Sequence, residues 1–369
     1  MLLHLPWYLI IKIKISMNKK IFFVVLMFVT SLVFIACENG VVNEPNDPIT
    51  TPDKEVSDKS DGGNKPNTEE QTFVVVALPS SSYMGEVEIE GVGRVTDEKN
   101  ERYNDSIITL TAKESENCSF YCWNDGKTDN PRTDTIGKIG ANFVAIFFGK
   151  DAMGNVYADL GLPSGLKWAT CNVGADSAYF PGSYFAWGDP IPNFAWGDSI
   201  PYDWENYKWR KEFFDRTDTI VMEKYNITAE DGDKIKVLTP DDDAAHEDMG
   251  GDWRMPTRSE QIELVNECTW EWVENYSFFV TEGSKRKEIK TGKKGYKVIG
   301  KNYSHIFLPM AGRCVGKSVV DADTDAYYWS SSLCADDKKA ACIYFGVTEV
   351  KWDKEFNRCY GFSVRGVFR

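Results

Sequence analysis

The sequence predicts an α+β protein built from strand-rich units with few helices. Short runs of β-branched and aromatic residues alternate with polar ones and are closed by Gly, Pro, Ser and Asn, the pattern of half-buried strands between turns. One stretch combines a helix start signal with helical apolar spacing: Thr257-Arg258-Ser259-Glu260, followed by Ile262, Val265 and Cys268. This predicts a helix over about 258–268. At 369 residues the chain has room for about two domains with connecting segments. A net charge of −14 makes nucleic acid a poor partner, because phosphates attract basic faces. The same acidity suits solubility outside a cell and leaves calcium binding open.

From the N-terminus, Met17-Asn18-Lys19-Lys20 and the apolar run Ile21 to Ile35 have the charged and hydrophobic regions of a secretory signal. The run ends in Phe34-Ile35-Ala36-Cys37, which resembles a bacterial lipobox: a small residue precedes the Cys that receives diacylglycerol. Phe34 departs from the Leu usual at its position. The run is short for a membrane span of about 20 apolar residues, and an uncleaved anchor is the alternative. The stretch 1–37 is therefore expected to be a lipoprotein signal region starting at Met17, with lipidation at Cys37. The chain is then an outer-membrane lipoprotein, facing the periplasm or the cell surface. Residues 38–70 are rich in Asn, Asp, Pro, Thr, Ser and Lys, too polar to offset their ordering entropy, and are expected to form a tether. If Cys37 carries lipid, eight cysteines remain, an even set that fits disulfides in an exported protein; buried free thiols are the alternative.

The first folded unit is expected over 71–150. Phe73 to Leu78, Glu86 to Val92, Ser106 to Ala112 and Ala141 to Phe148 read as strands. Between them lies Phe120-Tyr121-Cys122-Trp123-Asn124-Asp125-Gly126, followed by Asn130-Pro131-Arg132. This order of an aromatic strand, W-x-D-G, N-P-R and a closing A-x-F strand resembles the bacterial repeat domain related to the internalin B-repeat. The resemblance implies a small β-grasp-like module acting as a spacer or adhesive unit. Asp125 and Asp129 suit turns better than catalysis.

The second unit is expected over 155–369. In order it carries Gly161-Leu162-Pro163-Ser164-Gly165-Leu166-Lys167-Trp168-Ala169-Thr170-Cys171-Asn172-Val173-Gly174, Phe185-Ala186-Trp187-Gly188, Gly251-Asp252-Trp253-Arg254-Met255-Pro256-Thr257, Tyr328-Trp329-Ser330-Ser331-Ser332 and Gly361-Phe362-Ser363-Val364-Arg365. These blocks resemble the Fibrobacter succinogenes major paralogous domain, found in lipoproteins of gut and oral Bacteroidota. The resemblance implies a C-type-lectin-like α+β fold, distantly similar to formylglycine-generating sulfatase-modifying domains, without an established activity. It also implies a Cys171–Cys268 disulfide, since both sit in blocks that commonly keep Cys. Phe185-Ala186-Trp187-Gly188-Asp189 recurs as Phe194-Ala195-Trp196-Gly197-Asp198, a small duplication of a block that the family carries once.

Chemical signals are sparse. Asp241, Asp242, Asp243, Glu247 and Asp248 beside His246 would suit Ca²⁺ in a turn; alternatively Asp242 and Asp243 cap a helix. No other cofactor is expected, and zinc lacks ligands, with only His246 and His305 in the folded region. The Ser330 to Ser332 run lacks a Gly-x-Ser-x-Gly elbow, which favours structural hydroxyls. A sulfatase-modifying oxidase would need two closely spaced cysteines, and Cys334, Cys342 and Cys359 lack that spacing. An enzyme is therefore not expected. Trp187, Trp196, Trp204 and Trp270, with Trp209 and Trp272, offer flat faces for stacking on a glycan or packing on a protein partner; core packing is the alternative for each. The expected function is a surface binding or adhesion module, with a structural envelope role as the alternative.

Replacing Cys37 with Ser is expected to leave the chain soluble, or retained with an unprocessed signal. Membrane partitioning and precursor size on a gel check this, and both unchanged would refute it.

Overall fold

The computed structural model describes residues 72–369, apart from 92, 96–99, 104–105, 138–140, 194–199, 212–219 and 283–284. The expected signal region, Cys37, the tether and Trp196 lie outside the described residues. The described residues are mostly β-sheet with two α-helices, an α+β, β-rich class.

Eight strands build the first unit: β1 (Thr72–Pro79), β2 (Gly85–Ile89), β3 (Gly93–Val95), β4 (Asn100–Tyr103), β5 (Ile107–Glu114), β6 (Cys118–Trp123), β7 (Arg132–Thr135) and β8 (Ala141–Lys150). One sheet runs β3-β2-β5-β7. In the other, β8 pairs in parallel with β1, which pairs with β4, and β6 lies along the other side of β8. The inner faces share one core: Val75 and Ala77 from β1 and Phe143, Ala145 and Phe147 from β8 meet Val87, Ile89, Leu110 and Ala112. The unit differs from the expected β-grasp-like module, which would carry a helix on its sheet. Among its described residues there is none, and a second sheet covers the core instead. The W-x-D-G and N-P-R blocks form a clasp at the edge of this core. Buried Arg132 makes two bonds to Asp125 and one to Asp134, and its guanidinium lies 5.2 Å from the Trp123 ring centroid. Burial alone would raise the Asp125 pKa, but the Arg132 hydrogen bonds outweigh it and hold the carboxyl below its ordinary value.

Strand β8 is buried on both faces, because Val144 and Ile146 point away from this core toward the second unit. The expected boundary near 150–155 is a tight turn. Asp151 accepts from the Met153 and Asn155 amides and from Trp253 Nε1, fastening the turn to the second unit. The sheet continues through it into β9 (Val156–Asp159) and β10 (Lys167–Ala169). At Gly149 an added Cβ would lie 2.2 Å from the Tyr157 ring, so only glycine lets β9 cross here.

The second unit continues with the helices α1 (Ala244–Met249) and α2 (Arg258–Glu267), then β11 (Thr269–Val273), β12 (Ser277–Glu282), β13 (Lys285–Lys290), β14 (Gly295–Ile299) and β15 (His305–Pro309). It ends in β16 (Arg313–Val315), β17 (Ser318–Val320), β18 (Asp325–Leu333), β19 (Lys339–Gly346), β20 (Val350–Asn357) and β21 (Val367–Phe368). Strands β11-β14-β15 and β18-β19-β20 form two antiparallel sheets, and β12-β13 and β16-β17 are hairpins. The last strand, β21, pairs with β10 and so joins the two ends of the unit.

Helix α2 begins where the capping box predicts: Thr257 accepts from the Glu260 amide and Glu260 accepts from the Thr257 amide. Glu260 also takes two bonds from Arg254. The buried face is Gln261 and Leu264, with Val265 and Cys268 against the same core, so Ile262 lies beside the face rather than on it.

Trp187, expected as a binding aromatic, is fully buried. Its Nε1 donates to the Ser330 carbonyl, and the buried Arg358 guanidinium lies 4.7 Å from its ring centroid. Trp187→Ala is expected to lower stability by about 3–5 kcal/mol, and Thr257→Ala by about 1 kcal/mol. Urea denaturation checks both; near-equal losses would contradict this division between core and cap.

Candidate functional site

Two segments of the second unit face the outward side of β6 and β8: strand β15 and the loop 170–180, with β12 closing one end. They enclose an open cleft of about 220 Å³. Its walls are largely aromatic. Tyr276 stacks on Phe307 with ring centroids 4.0 Å apart, and Tyr179 stacks on Phe278 at 5.5 Å. Phe180 leans on Tyr179 at 4.5 Å and is 44% exposed, so the aromatic row continues into solvent. Tyr121 from β6 meets His305 edge-on at 5.6 Å. The polar groups are those of Thr170, Cys171, Ser177, the tyrosines and His305, with no carboxylate among the described lining residues.

Buried Arg365 fixes two of these walls from behind. It donates to the Ala169 and Thr170 carbonyls, to Asn172 Oδ1 and to the Phe307 carbonyl, at 2.8–3.0 Å. Burial draws its pKa down, against the opposing pull of Tyr328 and Cys171. Burial also raises the Tyr276 phenol above its ordinary range, with Tyr121 adding to the effect. His305 is nearly enclosed, and its Nδ1 has no hydrogen-bond partner among the described residues. Burial, with Lys297 nearby, pushes its pKa down to about 3, so the imidazole is neutral near pH 7. A neutral His cannot stabilise a thiolate at Cys171 by charge, and the cleft offers stacking faces and hydrogen-bond groups rather than an acid–base pair.

The other expected site residues lie elsewhere. Trp204 is half-buried, edge-on to Tyr207 at 5.5 Å, and Trp209 donates to the Gly188 carbonyl. Trp270 and Trp272 share a face, as their alternation predicts, but both pack on Tyr296. Cys171 and Cys268 are free thiols, so the disulfide implied by the resemblance is not formed. The two occupy separate surroundings. Cys171 lines the cleft, while Cys268 caps α2 against the core of Leu264 and Trp168, where burial pushes its thiol up to about 12.

Two members of the acidic cluster, Asp242 and Asp243, are structural. Asp243 caps α1 by accepting from the Ala245 and His246 amides and also from Met255. Asp242 is held by Lys208, Lys224 and Tyr225. Their oxygens are taken by protein donors, which takes these two out of the calcium ligand set that the spacing suggested. Ser330 and Ser331 donate to the Ala341 and Pro256 carbonyls, and Ser332 accepts from the Arg258 amide, as structural hydroxyls do.

The cleft's Tyr179, Tyr276 and Phe278, and Phe180 beside them, were missed because tryptophans dominated the aromatic signal. The readable sign was Ser177-Ala178-Tyr179-Phe180-Pro181, two adjacent aromatics in a turn-rich stretch between two family-like blocks. Comparisons with protein families, characterised proteins and solved structures found no match.

His305 gives a signed pH dependence. Its pKa falls from 6.5 to about 3 on folding, so its contribution to stability is present above 6.5 and is lost as pH falls toward 3. His305→Phe is expected to lose less stability than the parent between neutral pH and pH about 4.5. Denaturant midpoints at both pH values check this; equal losses would contradict it.

Proposed function

We propose that this chain is an exported lipoprotein whose second unit binds a glycan or protein ligand in the aromatic cleft, without turning it over. The observation that carries this reading is the cleft itself: stacked rings that continue into solvent at Phe180, a few hydrogen-bond groups and no lining carboxylate among the described residues. Flat aromatic faces bury the apolar side of a sugar ring, and the hydroxyls beside them fix its orientation. At about 220 Å³ the cleft suits one sugar residue or one side chain of a larger ligand.

Two features support the C-type-lectin-like assignment within this reading. The paired β10 and β21 join the ends of the unit, and much of its chain lies in long loops rather than regular elements. The lipobox-like Phe34-Ile35-Ala36-Cys37 and the polar stretch 38–70 support membrane attachment at a distance. The strand-only first unit supports a spacer that also supplies one wall of the cleft, through Tyr121 and Phe148. Fold analogy alone names no ligand.

A glycan array probed with the full chain tests the reading. Phe180→Ala is expected to weaken the strongest signal by more than about 1 kcal/mol, the range of an aromatic anchor, with the melting temperature nearly unchanged. Signals that survive both Phe180→Ala and Tyr179→Ala would overturn it.

A further inference from the structure

Among the described residues, no Asp, Glu, Lys or Arg lines the cleft. Its walls come from the segments 118–123, 141–149, 170–180, 276–281 and 305–309. In a chain of which 27% is charged, those segments hold a single charged residue, Asp176, which is exposed and does not line the cleft. His305 does line it, and burial keeps its imidazole neutral near pH 7. Arg365 stands behind the walls, and its guanidinium is occupied by the four oxygens already named. Lys297, across the strand pair from Phe307, lines a separate cavity with Lys301 and Glu271.

One short turn supplies both rings and free hydroxyls. Ser177 to Phe180 is closed by the Phe180 amide, which donates to the Ser177 carbonyl at 3.1 Å. Tyr179 of this turn stacks on Phe278. The half-buried Ser177 hydroxyl and the Tyr179 phenol make no hydrogen bond among the described residues. An ion entering such a surface sheds its water and finds no opposite charge, so burial counts against it. An all-apolar group strips water from both hydroxyls and returns no bond. A neutral polyol ring meets both demands. Its C–H face lies on the aromatic rings, and its hydroxyls exchange hydrogen bonds with Ser177 and Tyr179.

We propose, resting on the cleft reading above, that the group bound there is an uncharged sugar residue. The cleft selects against uronates, sulfated sugars and sugars with a free amine, because no charged side chain among its described lining residues replaces their hydration. At about 220 Å³ it takes one such ring.

A glycan array probed with the full chain at about 50 mM and about 500 mM NaCl tests this. Neutral glycans are printed beside charged counterparts, oligogalactosides with oligogalacturonates and N-acetylated chitotriose with its free-amine form. The strongest signal is expected from a neutral glycan, about tenfold above its charged counterpart and unchanged by salt. Ser177→Ala should weaken it about two- to tenfold, the loss of one hydrogen bond, with the melting temperature unchanged. A charged glycan as the strongest signal, or a signal that falls severalfold with salt, would overturn the neutral specificity. If that signal still needs Tyr179 and Phe180, the cleft reading stands. Neutral binding that ignores both Tyr179→Ala and Phe180→Ala would instead sink the cleft reading itself, and this inference with it. Silence from every glycan would also overturn the inference. Tyr179-dependent binding of the apolar probe N-phenyl-1-naphthylamine in that case would assign the cleft to an apolar group.

Discussion

The second unit depends on a buried cation, Arg365, that no carboxylate among the described residues neutralises. Arg365 is 2% exposed, and four backbone or amide oxygens from two separate segments, 169–172 and β15, converge on its guanidinium. Removing a charge from water costs several kcal/mol unless dipoles replace the lost hydration. Here the replacement comes from carbonyls at Ala169, Thr170 and Phe307, so those segments are drawn to one point. Arg358 repeats the device nearby, donating to the Tyr225, Asp337 and Lys224 carbonyls with Trp187 and Tyr207 against its face. Long loops that lack a sheet ladder of their own gain fixed positions this way. The planar fork of arginine suits several convergent oxygens, which a lysine amine would not satisfy in the same geometry.

That constraint leads to the cleft. Thr170 and Phe307, held by Arg365, are also lining residues, and the opposite wall is the outer face of β6 and β8. The first unit therefore contributes to the site rather than standing apart from it. Asn302 strengthens the junction by donating to both the Ser80 and Asp159 carbonyls. Neutral His305, pinned between the sheets, belongs to the same packing.

Local signals in the sequence were legible where a residue's role is set by its neighbours along the chain. Thr257 and Glu260 mark the start of α2 because a capping box closes within one turn. The alternation around Ile89 and Leu110 marks strands because one side meets a core. The W-x-D-G block reads only as a turn, and the pair that ties its Asp125 to Arg132 of the N-P-R block lies beyond that local reading. Long-range consequences were hidden. Trp187 reads as a binding aromatic until Ser330 and Arg358 close over it, and Asp242 reads as a metal ligand until Lys208 and Lys224 reach it. The cleft joins Tyr121, Tyr179, Tyr276 and His305, which lie too far apart in the chain for any spacing rule to link them.

Hydrogen–deuterium exchange on Arg365→Lys, compared with the parent chain, probes this dependence most directly. Lysine keeps the charge but cannot span the four acceptors. Amide protection should fall together in the loop 169–180 and in β15, while β2 and β5 of the first unit keep theirs. Protection unchanged in both segments, or lost only beside position 365, would show that the cleft walls stand without this cation.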